Sequence, residues 1–314
     1  MTEDENISEW LDAPNHHIID STSDDFPELL RQIPGPPTLL YVVGNKDALH
    51  LPALAVVGSR NPTSGGVQNA YNFSNHLARS GFCIVSGLAQ GIDTAAHEGA
   101  LDAGATTVAF LGHGIDRVYP AENRELAHRI AAGGALCSEY PLGSPPRREH
   151  FPQRNRLISG ISLGTLVVEA ARRSGSLISA RLASEQGREI FAIPGSIHNP
   201  LSRGCHQLIK QGAKLVESAD DIVSELGPLV GHLMQNAELQ THESAEDSPL
   251  DAEYETLLSV LSYDPASADQ LAEHSGLTID QVSSMLLILE LEGRIEAQAG
   301  GRYVLRQEKL DTDH

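Results

Sequence analysis

The chain has 314 residues, 40% of them hydrophobic, which is enough for a buried core and more than one average domain requires. A net charge of -20 ordinarily argues against a nucleic-acid partner, but residues 1–57 carry -8, residues 58–226 carry +1 and residues 227–314 carry -13. Three widely spaced cysteines and the lack of any apolar run near 20 residues exclude a disulfide framework and a membrane span, so we expect a cytoplasmic protein without membrane contact.

The first part of the chain, residues 1–49, is predicted to be a leader and a lead-in to the core. Residues 1–25 are polar and show no regular pattern, and prolines interrupt the short helix and extended segment expected at 26–41. We therefore expect the regular core to begin near residue 50.

From residue 50 to residue 226, short apolar strands alternate with helices of ten or more residues. Strands are predicted at 54–57, 83–85, 106–111, 135–138, 163–168, 189–193 and 214–216. Helices are predicted at 64–80, 93–103, 121–132, 176–186 and 202–211, and Asp93 is expected to cap the second of them. This alternation predicts an α/β domain with a doubly wound parallel sheet.

The C-terminal part is predicted to be a small separate domain. Residues 227–249 lose all periodicity and indicate a linker, and 307–314 form a tail. Between them, helical patterns at 253–262, 267–274 and 278–292 precede strands at 294–297 and 302–305, which together predict a winged-helix domain at 250–306. Residues 251–306 carry ten acids and three arginines, so we expect this domain to contact protein rather than duplex DNA.

Small residues follow several predicted strands. They are Gly58-Ser59-Arg60, Ser86-Gly87, Gly112-His113-Gly114 and Pro194-Gly195-Ser196. The carboxyl ends of parallel strands meet at one edge, where helix N-termini attract anions and glycine lets a phosphate approach the backbone. Each turn alone is consistent with a tight connection, but four of them on one edge predict a phosphate site.

An arginine-rich segment lies in the near-neutral centre of the chain. Residues 147–188 contain eight arginines and three glutamates, and the helical stretch Phe151–Gly160 holds Arg154, Asn155 and Arg156 near its start. Arginine favours bidentate phosphate contacts. Nucleotide-binding, hydrolase and zinc motifs are missing from the sequence, so we predict no catalytic residue, no metal and no cofactor.

Four motifs, in this order and spacing, carry a family resemblance. They are Gly58-Ser59-Arg60, the block Ser86–His97 (SGLAQGIDTAAH), the block Phe151–Gly160 (FPQRNRLISG) and Ala192–Ser196 (AIPGS). The chain resembles the DNA-processing protein A (DprA/Smf) family. The resemblance implies an extended Rossmann-like domain that binds single-stranded DNA, protects incoming strands and loads the recombinase RecA during natural transformation, without enzymatic activity. It also implies a homodimer and single-strand-binding protein as a further partner.

The resemblance also implies which residues act. Arg60 and the block Arg154–Arg156 would hold phosphates, and Gln153 stands where a second cation would strengthen the site. The full set expected at the single-stranded DNA is Gly58, Ser59, Arg60, Ser86, Gly87, Gly91, Gly112, Gln153, Arg154, Asn155 and Arg156. His206, Ile209 and Leu215 are the candidate dimer contacts, and simple core packing is the alternative for Ile209 and Leu215. Family members usually carry a helical N-terminal domain, and since about 25 residues precede Phe26 here, we expect its contacts to be absent.

An enzymatic alternative rests on the segment Gly164–Glu169. It is similar to the G-T-x-x-E element of LOG-type nucleotide phosphoribohydrolases, in which Glu169 would assist cleavage of a nucleoside monophosphate. Arg154 or Arg156 would then hold the phosphate. Against this hypothesis, the paired glycines that precede G-T in that family are replaced here by Ser162-Leu163.

Overall fold

The computed structural model describes residues 3–227, 229–230, 256–257, 260–261, 266–279, 281–282, 285–286, 289, 295–298 and 302–305. The chain forms two compact units, Met1–His232 and Leu233–His314. The predicted tail at 307–314 lies outside the described residues, as does the predicted linker at 227–249 apart from residues 227, 229 and 230.

The first unit is built on one large sheet. Its strands are β1 (His16–Asp20), β2 (Leu39–Gly44), β3 (Ala53–Val57), β4 (Cys83–Ser86), β5 (Thr107–Leu111), β6 (Ala135–Ser138), β7 (Gly164–Val167), β8 (Glu189–Ala192) and β9 (Lys214–Leu215). They lie in the order β1-β2-β6-β5-β4-β3-β7-β8-β9, and all pairs from β6 to β9 are parallel. The predicted α/β fold with a large parallel sheet is confirmed.

Helices cover both faces of this sheet. They are α1 (Glu3–Leu11), α2 (Glu28–Arg31), α3 (Ser64–Arg79), α4 (Ile92–Asp102), α5 (Arg124–Gly133), α6 (His150–Ile161), α7 (Ser176–Glu185) and α8 (Arg203–Lys210). Successive side chains of a strand point to opposite faces, so Ala55 packs with α6 and α7, and Leu54 packs with α3 and α4. The short strands are buried on both faces, which explains their continuous apolar sequences.

Strands β1 and β2 were not predicted, and the structure corrects the expectation that residues 1–49 lie outside the sheet. The two strands pair antiparallel with each other, and β2 pairs antiparallel with β6. The ring of Trp10 in α1 packs 4.4 Å from the ring of His16 and 5.9 Å from that of Tyr41, measured between centroids. The sequence hid β1 because its five residues, HHIID, form an edge strand with only one fully buried side chain.

The second unit contains a helix and a small sheet. Helix α9 (Ala268–Ser275) begins with a capping box between Ser267 and Gln270. Strands β10 (Ala266–Ser267), β11 (Ile295–Gln298) and β12 (Arg302–Leu305) form an antiparallel sheet in the order β10-β12-β11. Leu257, Leu271, Val282, Leu286, Leu289 and Ile295 pack together in its core. The predicted second helix and the terminal hairpin are therefore present.

The three cysteines lie in the interior of the first unit. Cys83, Cys137 and Cys205 are buried and unpaired, and burial raises the pKa of the Cys83 thiol to about 12. Within the described ranges no helix combines the length and apolar character that a bilayer crossing requires. No group of three metal-ligating side chains occurs among these residues either.

Candidate nucleic-acid interface

A cleft of about 770 Å³ opens at the carboxyl ends of β3 and β7, where ligands bind in doubly wound sheets. The loop after β3 contributes one wall, the start of α6 another, and the loop between β7 and α7 a third. Residues at its surface include Gly58, Ser59, Arg60, Tyr119, Arg148, Phe151, Arg154, Asn155, Arg173, Ser174, Gly175 and Ser176. The cleft thus contains five of the eleven residues that the sequence analysis expected at DNA.

The cleft is strongly cationic. Arg60, Arg148, Arg154 and Arg173 line it, and Asp93 is the one acidic residue among the described lining residues. Within the described chain, Arg60, Arg148 and Arg173 are exposed and form no ion pair. Guanidinium groups without a carboxylate partner are suited to phosphate oxygens. Sequence reasoning did not assign Arg148 and Arg173 to the site, although each lies two or three residues before the start of a helix, α6 and α7.

Arg154 lies at the base of the cleft and braces the strand ends. Its side chain is 3% exposed, and Nη1 donates to the carbonyl oxygen of Gly87, 2.6 Å away, and also to that of Phe110. Burial lowers the pKa of the guanidinium to about 10, and the neighbouring Asp93 opposes this shift. Arg154 therefore joins the ends of β4 and β5 to α6, and only part of it faces the cleft.

Asp93 does not cap α4 as expected. Gly91 occupies the N-cap position, and Asp93 lies in the first turn with its side chain directed back toward the preceding loop. Its Oδ2 accepts hydrogen bonds from the backbone N–H groups of Gly87 at 3.2 Å and Ala89 at 3.3 Å. Burial raises the pKa of this carboxyl, and the Arg154 guanidinium counteracts the rise. Asp93 and Arg154 thus hold the loop that follows β4 separately, Asp93 through the N–H groups of Gly87 and Ala89 and Arg154 through the carbonyl oxygen of Gly87.

Arg156 and Gln153 lie outside the cleft lining, which departs from the expectation that the whole Gln153–Arg156 block faces one phosphate site. Arg156 forms an ion pair with Glu139, and the exposed Gln153 accepts a hydrogen bond from the Tyr140 hydroxyl at 3.1 Å. Residues two apart on a helix are separated by about 200°, so Arg154 and Arg156 occupy opposite sides of α6. Asn155, between them, does line the cleft.

The remaining predicted residues shape the cleft. Gly87 lines a small adjoining recess with Arg60 and Phe151. The Ser86 hydroxyl is buried and donates to the carbonyl oxygen of Val56 at 2.7 Å. Gly91 has φ +84°, and a Cβ there would lie 2.5 Å from the carbonyl oxygen of Ser59. A Cβ on Gly112 would lie 3.1 Å from the Phe151 ring, which therefore rests directly on this glycine.

Two aromatic rings form one wall of the cleft. The centroids of Tyr119 and Phe151 are 5.9 Å apart, and the Arg60 guanidinium carbon lies 5.5 Å from the centroid of Phe151. Tyr119 is 48% exposed, which is unusual for a large hydrophobic side chain in this unit. Aromatic faces next to a cation provide a surface on which nucleic-acid bases stack.

The N-terminus of α7 faces the same cleft. Ser174, Gly175 and Ser176 line it, and the N-cap residue Gly175 offers no side-chain hydrogen bond to the helix. Its first backbone N–H groups are already bonded within the turn: that of Ser176 donates to the Ser174 hydroxyl at 3.3 Å and that of Leu177 to the Ser174 carbonyl oxygen at 3.2 Å. The helix start therefore adds the positive end of its dipole to the charge of Arg173 rather than free donors.

Glu169, the candidate acid of the enzymatic alternative, is occupied elsewhere. It is buried, and its two oxygens accept hydrogen bonds from the backbone N–H of Thr63 at 2.9 Å and its hydroxyl at 2.7 Å. Thr63 in turn caps α3. Glu169 does not belong to the described lining of the cleft. The carboxylate holds the start of a helix, which accounts for it without catalysis.

The three expected dimer contacts lie near the outer strand β9. Leu215 is 45% exposed on β9, and Ile209 packs partly against the core from α8. The His206 ring is anchored to the backbone of Gly195, with Nε2 3.0 Å from its carbonyl oxygen. The outer edge of a sheet with an exposed leucine is available for pairing with a second chain.

Sequence comparisons cover both units. The family model "DNA recombination-mediator protein A" matches residues 17–227, and "DprA winged helix domain" matches residues 241–301. Protein Smf of Escherichia coli K12 is 43% identical over 299 residues, which cover 95% of this chain and 80% of that protein. DNA processing protein DprA of Streptococcus pneumoniae is 46% identical over 217 residues, covering 69% of this chain and 76% of that protein.

Solved structures of relatives share the fold. The crystal structure of DprA from Streptococcus pneumoniae has a TM-score of 0.67 at 44% identity and covers 71% of this chain and 77% of its own. A structure of DNA processing protein A from Helicobacter pylori, described for its single-stranded DNA binding mode, has a TM-score of 0.62 at 30% identity. It covers 67% of this chain and 95% of its own.

Proposed function

Since this chain belongs to the DNA recombination-mediator protein A (DprA/Smf) family, we propose that it binds single-stranded DNA in the cleft at the ends of β3 and β7. One observation carries the proposal: three exposed arginines, Arg60, Arg148 and Arg173, converge on a cleft whose described lining holds a single acid. That acid is Asp93, and the four arginines of the described lining outnumber it. The cleft therefore has a net positive charge, although the whole chain carries -20.

The aromatic wall favours a single strand over a duplex. Tyr119 and Phe151 can stack with bases only if those bases are unpaired and turned toward the protein. In duplex DNA the bases are stacked inside the helix, and the phosphates alone would reach Arg60 and Arg173. The relative from Helicobacter pylori is described as binding single-stranded DNA, which supports the same ligand here.

The biological role we propose is that of a recombination mediator. The bound strand is protected and then passed to a RecA-type recombinase during natural transformation, with single-strand-binding protein as a further partner. The family relationship supports this role. We also propose a homodimer that forms through the outer edge of the sheet, since Leu215 and Ile209 offer apolar surface beside β9.

Binding without catalysis is part of the proposal. The carboxylate that a phosphoribohydrolase would need, Glu169, is held by Thr63. Incubation with AMP is expected to release no adenine. Sustained adenine release that Glu169→Gln abolishes would contradict the proposal and restore the enzymatic alternative.

The direct test compares the wild type with a cleft variant, Arg60→Ala/Arg148→Ala/Arg173→Ala, by fluorescence anisotropy of labelled oligothymidylate. Charged hydrogen bonds contribute about 1.5–3 kcal/mol each, less at exposed sites, so we expect a loss of about 100-fold or more at low salt. The slope of log affinity against log salt should fall by about 2, since each phosphate contact contributes roughly 0.7 for single strands. Unlabelled duplex should compete poorly with wild type.

A matched control removes three charges elsewhere. Arg79, Arg124 and Arg129 are exposed on α3 and α5 and line no described part of the cleft. The variant Arg79→Ala/Arg124→Ala/Arg129→Ala has the same net charge as the cleft variant, and it should bind oligothymidylate nearly as the wild type does. Equal losses in the two variants would contradict a specific site and would indicate diffuse attraction.

A further inference from the structure

The structure assigns a second cleft, lined by Arg172, Arg203, His206 and Lys210, to the same single strand: we propose that DNA leaving the first cleft crosses the wall between the two and continues here. The second cleft has a volume of about 720 Å³, similar to that of the first. This inference rests on the proposed function and extends it from a binding pocket to a path along the protein surface.

The two clefts share one wall. Arg173 lines the first cleft and its neighbour Arg172 the second, while Leu201 lines the first and Arg203 the second. Adjacent Cα atoms are about 3.8 Å apart, so the wall is only one or two residues thick. A strand that is bound by Arg173 can therefore reach Arg172 without a gap in cationic contacts.

The wall is held together by short contacts. The backbone N–H of Ala170 donates to the carbonyl oxygen of Leu201 at 2.7 Å, and that of Gly204 donates to the carbonyl oxygen of Ala170 at 2.8 Å. A Cβ on Gly204 would lie 2.5 Å from the carbonyl oxygen of Ala170, so no larger residue fits this approach. The arginines on its two sides are thus presented from a fixed backbone.

The second cleft attracts a polyanion. Among the described residues its lining contains no acid, and its three permanent cations, Arg172, Arg203 and Lys210, form no ion pair. Gln207 and Gln211 add neutral hydrogen-bonding groups. The whole chain carries a net charge of -20, yet no acidic side chain of the described lining neutralises the cations of this cleft. Such a cleft is suited to the phosphates of a nucleic acid.

An exposed isoleucine supplies an apolar contact in this cleft. Ile197 is 72% exposed, more than any other large hydrophobic side chain among the described residues. It lies in the loop after β8, and the ring of His206 anchors that loop through its contact with Gly195. An apolar side chain among cations can pack against an unpaired base while the cations hold its phosphate.

The test is a length series of oligothymidylates, from about 4 to about 30 nucleotides, bound to wild type and to Arg172→Ala/Arg203→Ala/Lys210→Ala. We expect the shortest strands, which fill only the first cleft, to bind both proteins equally. The affinity of the wild type should rise further as the strand becomes longer. On the longest strands, the variant should bind about 10-fold or more weakly than the wild type. Its salt slope on long strands should be smaller by about 2.

The outcomes separate this inference from the proposed function. If the wild type binds no strand of any length, the proposed function fails. If both proteins show the same length dependence and salt slope, the second cleft does not bind DNA and the first remains. If the variant instead loses an acidic peptide while keeping its DNA length dependence, the cleft accepts protein and the inference is overturned.

Oligomeric state is controlled separately, because His206 belongs both to this cleft and to the proposed dimer surface. The same comparison is made in a Leu215→Glu background, in which a second chain cannot pair with β9 through an apolar edge. A variant effect that persists there comes from the cleft itself. An effect that disappears there comes from dimerisation and contradicts the inference. Arg79→Ala/Arg124→Ala/Arg129→Ala serves again as the charge-matched control.

Discussion

Replacing Arg154 with methionine is expected to destabilise the sheet-containing unit rather than to remove one DNA contact among several. Arg154 is 3% exposed, and its guanidinium donates to the carbonyl oxygens of Gly87 and Phe110. Without it, those two acceptors and the carboxylate of Asp93 lose their buried cationic neighbour. Each buried acceptor left without a donor costs about 1–3 kcal/mol, so the two together take a large part of the roughly 5–15 kcal/mol that stabilises a typical domain.

Urea unfolding measures this loss through the fluorescence of Trp10. It is the only tryptophan in the chain and packs against His16 and Tyr41, so its emission reports on the first unit. Arg60→Met is the matched control: Arg60 is exposed, so its replacement should shift stability by less than about 0.5 kcal/mol while weakening DNA binding.

A double-mutant cycle identifies the cause. Asp93→Asn added to Arg154→Met removes the uncompensated carboxylate, so the double variant should recover part of the lost stability. If Arg154→Met unfolds within about 1 kcal/mol of wild type yet loses DNA affinity, the bracing role is refuted and Arg154 is a direct phosphate ligand.

Three further predictions concern other parts of the chain. Burial lowers the pKa of His97 to about 3, so the folded protein keeps it neutral while the unfolded chain takes up a proton below pH 6.5. The contribution of neutral His97 to the free energy of unfolding should therefore be fully present above pH 6.5 and should fall by about 2 kcal/mol at pH 5. In His97→Gln, the free energy of unfolding measured in urea should lack this fall between pH 6.5 and pH 5. Leu215→Glu should lower the mass measured by light scattering from dimer to monomer without unfolding the chain, and an unchanged mass would place the dimer surface elsewhere. A chain ending at residue 232 should bind duplex DNA no more weakly than the full chain, since the acidic second unit is expected to repel it, and a clear loss in gel shifts would assign duplex binding to that unit.

The fold was largely predictable because its central strands are short, apolar and separated by long helices. Predicted bounds for β6 agree with the structure, and those for α3 differ by one residue. Strands β1 and β2 were missed because the prediction relied on the alternation of strands with long helices. These two strands add antiparallel to one side of the parallel sheet, and the helix between them, α2, has only four residues. A polar segment such as His16–Asp20 has no periodic signal that separates an edge strand from a loop.

The site was only partly predictable, since motifs identify residues but not the directions of their side chains. Arg60 and Asn155 line the cleft as expected, whereas Arg154 is buried and Arg156 is paired with Glu139 on the far side of α6. The direction of each arginine side chain depends on its position around the axis of α6. It also depends on carbonyl groups, such as those of Gly87 and Phe110, that are distant in the sequence. Arg148 and Arg173 could have been found by asking which cations adjoin strand ends and helix starts.

Photo-crosslinking of iodouracil-containing oligothymidylate to the full chain, followed by mapping of the crosslinked peptides by mass spectrometry, shows directly which residues touch the bases of the bound strand. Stacking in the first cleft predicts crosslinks at Tyr119 or Phe151, the two rings of its aromatic wall. These crosslinks should disappear in Arg60→Ala/Arg148→Ala/Arg173→Ala. Crosslinks confined to residues 233–314, with none around the cleft, would contradict the account.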